Sequence, residues 1–334
     1  MKTYLDKNVY EAALERIAYC FQEFDNVLVA FSGGKDSGVL LNLCYNYADE
    51  HGLLDKLTMY HLDYEAQYQM TTEYVTRTFL EQFPGIRKMW YCVPIKAQSA
   101  CALGEPYWTP WDAAKKKLWV RAMPENPYVV HEGNLDVPFR HGMVDYEFQD
   151  KLSRHFAKKR GTTAVMVGLR ADESLNRYAA VARGKKRRSY EGRKWITQTS
   201  AVTANVYPLY DWRVSDIWTA TARFGFDYNR LYDLLYQAGL TAGQMRVASP
   251  FNDCAQESLK LYKVIDPSNW ARMIGRVNGV NFTGLYGGTT AMGWKTIKLP
   301  PGHTWKSYYE FLLSTMDART AAHYNNICLL YTSP

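Results

Sequence analysis

Six consecutive residues, Ser32-Gly33-Gly34-Lys35-Asp36-Ser37, place two hydroxyls, two glycines, an ammonium and a carboxylate in one turn. Adjacent glycines let main-chain N–H groups converge on one point as an anion nest, and a helix start adds partial positive charge there. Lys35 supplies a full charge, and Ser32 and Ser37 supply hydroxyl donors. Asp36 alone would repel a phosphate, so its expected role is to hold a Mg²⁺ ion that bridges to it. These parts describe a di- or triphosphate site. GxxxxGK[ST] and GxGxxG are both absent from this turn, so neither of the two better-known phosphate loops applies. Glycines used for turn geometry alone would explain a bare pair, but not the whole hexapeptide between a strand and a helix.

Such a turn needs a strand before it and a helix after it. "NVLVAF" (26–31) is short, apolar and ends at the glycines, which reads as a buried strand. Residues 36–51 read as a helix stopped by Gly52. A helix over 8–24 precedes them, with Asn8 and Glu11 spaced for a capping box. "LTMYHLD" (57–63) is a second strand, Thr71 or Thr72 is placed to cap a helix running to about Phe83, and "KMWYCV" (88–93) is a third strand. Residues 94–144 are irregular and rich in proline and tryptophan. A helix over 145–160 ends at Gly161, "TTAVMVGL" (162–169) is another strand, and a helix follows from Asp172. A short strand precedes Pro208, Ser215 caps a helix to about Arg223, and Asp266-Pro267 marks a helix start. The β-α-β-α-β order predicts an α/β fold, a doubly wound, mostly parallel sheet with an irregular insertion and a mostly helical C-terminal region. The expected divisions are 1–225 (insertion about 94–144), 226–320, and a tail, 321–334, outside the fold.

Composition sets looser bounds. The chain has 334 residues, 47% hydrophobic and 22% charged, an ordinary globular balance. A formal charge of +7 suits an anionic small molecule or a nucleic acid without choosing between them. No apolar run approaches the ~20 residues that span a bilayer, and the charged, amphipathic N-terminus does not read as a secretory signal. Six scattered cysteines without CxxC suggest neither disulfides nor zinc, so the expected setting is the reducing cytoplasm.

Four stretches carry a family likeness. "SGGKDS" after strand one resembles the PP-loop of the ATP pyrophosphatase (adenine nucleotide alpha hydrolase-like, HUP-like) superfamily. With it, "YHLDYEAQY" (60–68), "VGLRADESLNR" (167–177) and "YPLYDWRVSDIW" (207–218) resemble, in order, segments of the phosphoadenosine phosphosulfate (PAPS) reductase family. The likeness covers roughly residues 20–225. "RVNGVNF" (276–282) resembles, less specifically, the C-terminal part of a bacterial PAPS-reductase-like subgroup. The resemblance implies phosphates on Ser32, Gly33, Gly34, Lys35, Asp36 and Ser37, and adenine against the backbone around Ala30, Phe31 and His61–Asp63. Arg170, at a strand exit, is placed to grip phosphate bidentately. Arg177 lies two helical turns further on and can face the same cleft. Asp172 and Ser174 read equally as ligands or as helix-capping residues with Glu173 in the first turn.

The chain departs from the family pattern at sulfur. No Glu-Cys-Gly-x-His-type motif is present, and Cys254 has no activating neighbours, so a buried small residue is the better reading of it. Without paired cysteines, no iron–sulfur cluster is expected. What remains is chemistry that needs positioning and charge neutralisation: cleavage of ATP between the α and β phosphates to adenylate an acceptor, with Lys35, Asp36, Arg170 and Mg²⁺ in the catalytic roles. The rivals are a PAPS or adenylyl sulfate reductase using an external thiol, and a non-catalytic nucleotide sensor. Residues 158–194 hold twelve Lys/Arg against three Asp/Glu, densest in "RGKKRRSYEGRK" (183–194). That loop either contacts a polyanion such as nucleic acid or is a solvated charge run. In the insertion, Trp108 or Trp111 could stack a base, but a lid or satellite core is the stronger reading. The subgroup resemblance also implies a ParB-like protein partner.

Overall fold

The computed structural model of the chain describes residues 6–102, 104–182, 189–287, 289, 291 and 299–332, with backbone only at 254, 257 and 326–332. Helix α1 (Val9–Glu23) starts at the expected capping box: Asn8 Oδ1 accepts from Glu11 N at 3.0 Å, and Glu11 Oε2 accepts from Asn8 N at 3.1 Å. Strand β1 (Asn26–Ala30) follows, then α2 (Lys35–Glu50), β2 (Leu57–Leu62), α3 (Gln69–Glu81) and β3 (Arg87–Cys92). The insertion holds the two-residue strands β4 (Ala97–Gln98) and β5 (Tyr107–Trp108), which pair with each other, a 3₁₀ turn over Ala113–Leu118, and β6 (Val129–His131). Next come α4 (Asp145–Arg160), β7 (Thr163–Val167), α5 (Leu175–Ala182), β8 (Ser189–Tyr190), β9 (Arg193–Gln198), β10 (Thr203–Val206) and α6 (Val214–Phe224). The rest of the first unit is helical: α7 (Leu231–Gln237), α8 (Gln256–Leu259), α9 (Tyr262–Ile265), α10 (Pro267–Arg276) and α11 (Val280–Tyr286).

The main sheet has eight strands in the order β6-β3-β2-β1-β7-β10-β9-β8. From β6 to β10 all pairs are parallel; β10–β9 and β9–β8 are antiparallel. Along β1, Val27 and Val29 join the core shared with α1 and α2, while Leu28 joins Phe148, Leu152 and Phe156 of α4 on the opposite face. Such alternation is what a strand covered on both faces requires. Chain order reverses at β1, whose neighbours are β2 and β7, so the carboxyl ends of β1 and β7 flank the topological switch point. Ala30 is in register with Val167, which brings the two exit loops level.

Three local expectations need correction. Helix α3 begins at Gln69, not at Thr71 or Thr72, because its first N–H is capped from outside: Asp266 Oδ2 accepts from Gln69 N at 2.8 Å. The helix after β7 begins at Leu175 rather than Asp172, since Asp172 is drawn into an ion pair with Arg170. Part of the expected basic loop is the β8–β9 hairpin, turned by Glu191 (φ 48°) and Gly192 (φ 75°), the two positive-φ positions of a tight hairpin.

By compactness the chain divides into Met1–Gly288 and Thr289–Pro334, so the expected division near 225 falls inside the first unit. In the second unit, α12 (Trp305–Ser314) carries a Thr304/Ser307 capping box. The tail from 321, expected outside the fold, is largely the helix α13 (Ala318–Thr332), and Tyr309 of α12 donates to Asn325 at 2.8 Å. Among the described residues no helix is long and apolar enough to cross a membrane.

Candidate functional site

The turn leaving β1 is built around its own hydroxyls. Ser37 Oγ donates to Gly34 O at 3.0 Å, accepts from Ser32 N at 3.1 Å, and lies 3.0 Å from Ser32 Oγ. Gly33 has φ 74°, and a methyl there would lie 2.9 Å from Val75 Cγ2, so conformation and space both select glycine. Gly34 is the N-cap of α2, so the helix and its first-turn amides begin at the switch point. Gly168, leaving β7, presses its backbone on this turn: a methyl there would meet the carbonyl carbon of Asp36 and Ser37 N at 2.9 Å each.

Lys35, Asp36 and Arg170 meet here as the sequence predicts. Lys35 Nζ binds Asp36 Oδ2 at 2.8 Å, and Arg170 Nε binds Asp36 Oδ1 at 2.5 Å. Arg170 also reaches Asp172 Oδ1 at 2.5 Å, and Glu173 takes Arg177 at 2.9 Å and, on its other oxygen, Arg246. Four cations thus face three carboxylates. Burial alone would raise the Asp36 carboxyl, but Lys35 and Arg170 outweigh it and hold Asp36 below the usual carboxylate range. Burial pushes the Lys35 ammonium down, against the pull of Asp36.

Asp36, the residue expected to hold Mg²⁺, is paired with cations here. Both its oxygens are engaged by cations, and no cluster of three or more His, Cys, Asp or Glu able to hold a metal occurs among the described residues. His61 and Asp63 end β2 with fully buried side chains. Burial lowers the His61 imidazole, so the neutral ring donates from Nδ1 to Phe31 O at 2.8 Å. Asp63 accepts from Trp90 Nε1 and Glu65 N, each at 2.8 Å, and pairs with Arg121 at 2.5 Å. Asp63 is therefore spent internally, while His61 keeps a buried Nε2 without a hydrogen-bond partner among the described residues.

Trp108 and Trp111 are buried, at 7% and 2% exposure, which removes them as stacking platforms. Trp111 instead donates from its main chain to Glu65 at 2.6 Å and from its indole to Asp63 O at 2.9 Å. Of the basic stretch 183–194, residues 183–188 lie outside the described residues. The rest is tied to α1: Tyr190 donates to Glu23 at 2.6 Å, Tyr19 donates to Glu191 at 2.8 Å, and Arg193 lies 4.1 Å from the Tyr19 ring centroid. The side chain of Cys254 also lies outside the described ones. Cys20, Cys44, Cys92 and Cys101 are buried, and burial pushes each thiol up, away from nucleophilic use.

Sequence reasoning missed Tyr232 and Arg246 at the glycine turn, and the Glu65–Arg276 pair beneath the insertion. The first two come from about 200 residues downstream without a motif. Glu65 had only its place in "YHLDYEAQY", and Arg276 only its place in "RVNGVNF". A cavity of about 840 Å³ lies elsewhere, at the β6 edge, lined in part by Lys117, Trp119, His131 and Arg272.

With this geometry in view, residues 26–238 match the family model described as the phosphoadenosine phosphosulfate reductase domain. The chain belongs to that family. Beyond it, residues 239–332 match a second model, described as a domain of unknown function (DUF3440). Over 332 residues the chain is 35% identical to the uncharacterized protein YbdN of Escherichia coli K12, spanning 98% of this chain and 80% of that protein. Among solved structures it is similar to the phosphoadenylyl-sulfate (PAPS) reductase of Candida auris at 13% identity, covering 70% of this chain and 93% of that one with a TM-score of 0.37. It is also similar to the FMN adenylyltransferase of Candida glabrata at 13% identity, covering 69% and 62% with a TM-score of 0.37. The doubly wound architecture stands on the sheet order itself, with the Ser32–Ser37 turn at its switch point.

Proposed function

We propose that this family member binds an adenine nucleotide with its phosphates on Ser32–Ser37 and Arg170, and cleaves ATP between the α and β phosphates to adenylate an acceptor in sulfur or nucleic-acid modification. The supporting observation is the meeting of Lys35, Arg170 and the first turn of α2 at the carboxyl ends of β1 and β7. Open α/β sheets place ligands there. Asp36 pairs with both cations. A phosphate oxygen is the same kind of acceptor, so the nucleotide competes for Lys35 Nζ and the Arg170 guanidinium rather than creating a new charge site. Neutralising the α and β phosphates lowers the cost of attack on the α phosphorus and of releasing pyrophosphate. No step is assigned to a metal ion; Asp36, released as the phosphates take Lys35 and Arg170, is the residue that would hold one beside them.

The second reading, a sulfonucleotide reductase with an external thiol, is favoured by the family's name, and because the four described cysteine side chains are buried none of them supplies the thiol. Calorimetric titration with ATP and PAPS, followed by phosphorus NMR and a sulfite assay, separates the two. Pyrophosphate from ATP is expected, with affinity reduced roughly 10- to 100-fold in Lys35→Ala, the worth of a hydrogen bond to a charged group. Sulfite from PAPS instead supports the reductase reading, and binding without either product supports a sensor. Unchanged nucleotide affinity in Lys35→Ala overturns the phosphate-site assignment.

A further inference from the structure

The main-chain N–H of Lys35, in the first turn of α2, is one of the donors that draw phosphate to a helix start. It is already taken: Tyr232 Oη accepts from Lys35 N at 3.2 Å. Tyr232 is 4% exposed, and Lys35 Nζ lies 5.4 Å from its ring centroid. The same hydroxyl and the Val247 side chain cover Gly34, at 3.4 and 3.5 Å from where a methyl there would stand. Asn229 Nδ2 donates to Gly33 O at 3.3 Å and to Thr71 Oγ1 at 2.9 Å. One stretch of chain, Asn229–Val247, therefore lies across the whole glycine pair. Beside Val247, Arg246 reaches Glu173, and its buried Nε has no partner among the described residues.

A neutral hydroxyl on that amide holds the place of a phosphate oxygen, which is the stronger acceptor. We propose that Asn229–Val247 is a lid stoppered by Tyr232: a polyphosphate displaces the hydroxyl from Lys35 N, and Arg246 then serves as a further phosphate ligand. This rests on the phosphate-site reading above and adds to it a closed state and two ligand-sensing residues. The cover belongs to packed core, with Leu231, Tyr232, Leu235 and Val247 in one cluster, so opening moves these side chains together.

Tyr232→Phe deletes one oxygen and keeps the ring. It is expected to bind ATP roughly fivefold more tightly than the parent, because the competing hydrogen bond is gone. Arg246→Gln is expected to bind roughly tenfold more weakly, the loss of a charged contact. Hydrogen exchange gives a second readout: amides of Asn229–Val247 should exchange faster when the parent is saturated with ATP. Val247→Ala thins the cover without touching Tyr232 and should also tighten binding, which keeps the test usable if Tyr232→Phe folds poorly. Nucleotide binding that depends on Lys35 but ignores Tyr232→Phe, Val247→Ala and exchange in 229–247 overturns the lid alone. Binding indifferent to Lys35→Ala, or absent from both parent and Tyr232→Phe, overturns the phosphate site and the lid together.

Discussion

Replacing Glu65 by glutamine removes one negative charge from a place that water does not reach. The Glu65 side chain is fully buried, and that of Arg276 is 2% exposed. Its Oε1 accepts from Arg276 Nε at 2.8 Å and Val120 N at 3.0 Å, and its Oε2 from Trp111 N at 2.6 Å and an Arg276 terminal nitrogen at 3.0 Å. Every one of these partners is a donor. Glutamine offers one acceptor oxygen and one amide nitrogen, so either orientation turns two contacts into donor-against-donor pairs. It also leaves the guanidinium buried without a counter-charge. Breaking a buried pair from one side costs about 3–5 kcal/mol, a large share of the roughly 5–15 kcal/mol that holds a domain folded. Arg276→Met should fall at the lower end, since Trp111 N and Val120 N still face the remaining carboxylate. Glu65→Gln with Arg276→Met together should cost clearly less than the two single changes added, because the double variant strands no full charge. Urea unfolding followed by tryptophan fluorescence reads all three. A Glu65→Gln loss under about 1 kcal/mol, or strict additivity in the double variant, would refute the reasoning.

Two other perturbations test the site from below. Gly168→Ala drives a methyl into the backbone of Asp36 and Ser37. It should cost about 1–3 kcal/mol as overpacking and weaken ATP binding; a variant of parental stability and affinity argues against the contact. The neutral, buried His61 makes the protein acid-sensitive above the carboxylate range. The unfolded imidazole takes a proton below about pH 6.5 and the folded one resists it, so the unfolded state binds more protons and stability falls as pH drops. From pH 7.5 to 5.5 this contributes up to about 1.4 kcal/mol of loss, which His61→Asn should abolish in chemical unfolding. An identical slope in that variant sinks the assignment.

The parallel core was legible because its signals are local. Each of the first strands is a short apolar run bounded by glycine, proline or polar residues, and Asn8 with Glu11 or Asp266 with Pro267 marks a helix start within four residues. Lys35, Asp36 and Arg170 were legible as a group because strand exits on one edge of a parallel sheet converge. What escaped depends on distant partners. Thr71 and Thr72 looked like caps for α3, but the cap is the Asp266 carboxylate, nearly 200 residues away. Glu191-Gly192 sits within a charge run that masks a hairpin turn. His61 and Asp63 fall at the expected strand end, yet their side chains serve Phe31, Trp90 and Arg121. Tyr232 and Arg246 reach the phosphate turn only after the chain has crossed the entire sheet, and no spacing rule foretells that.

The seam between the two matched family stretches, at 238–239, is not a seam in the protein. Residues beyond it supply the counter-charge for Glu65, the cap for α3, and the tyrosine hydroxyl at Tyr262 that donates to Ala66 O at 3.1 Å. A polypeptide halted at 238 would carry a sealed-in anion, an uncapped helix and a bare carbonyl side by side, all within seven residues of the end of β2. The later stretch is thus less a neighbour than a missing wall, and the earlier one is architecturally unfinished until it arrives.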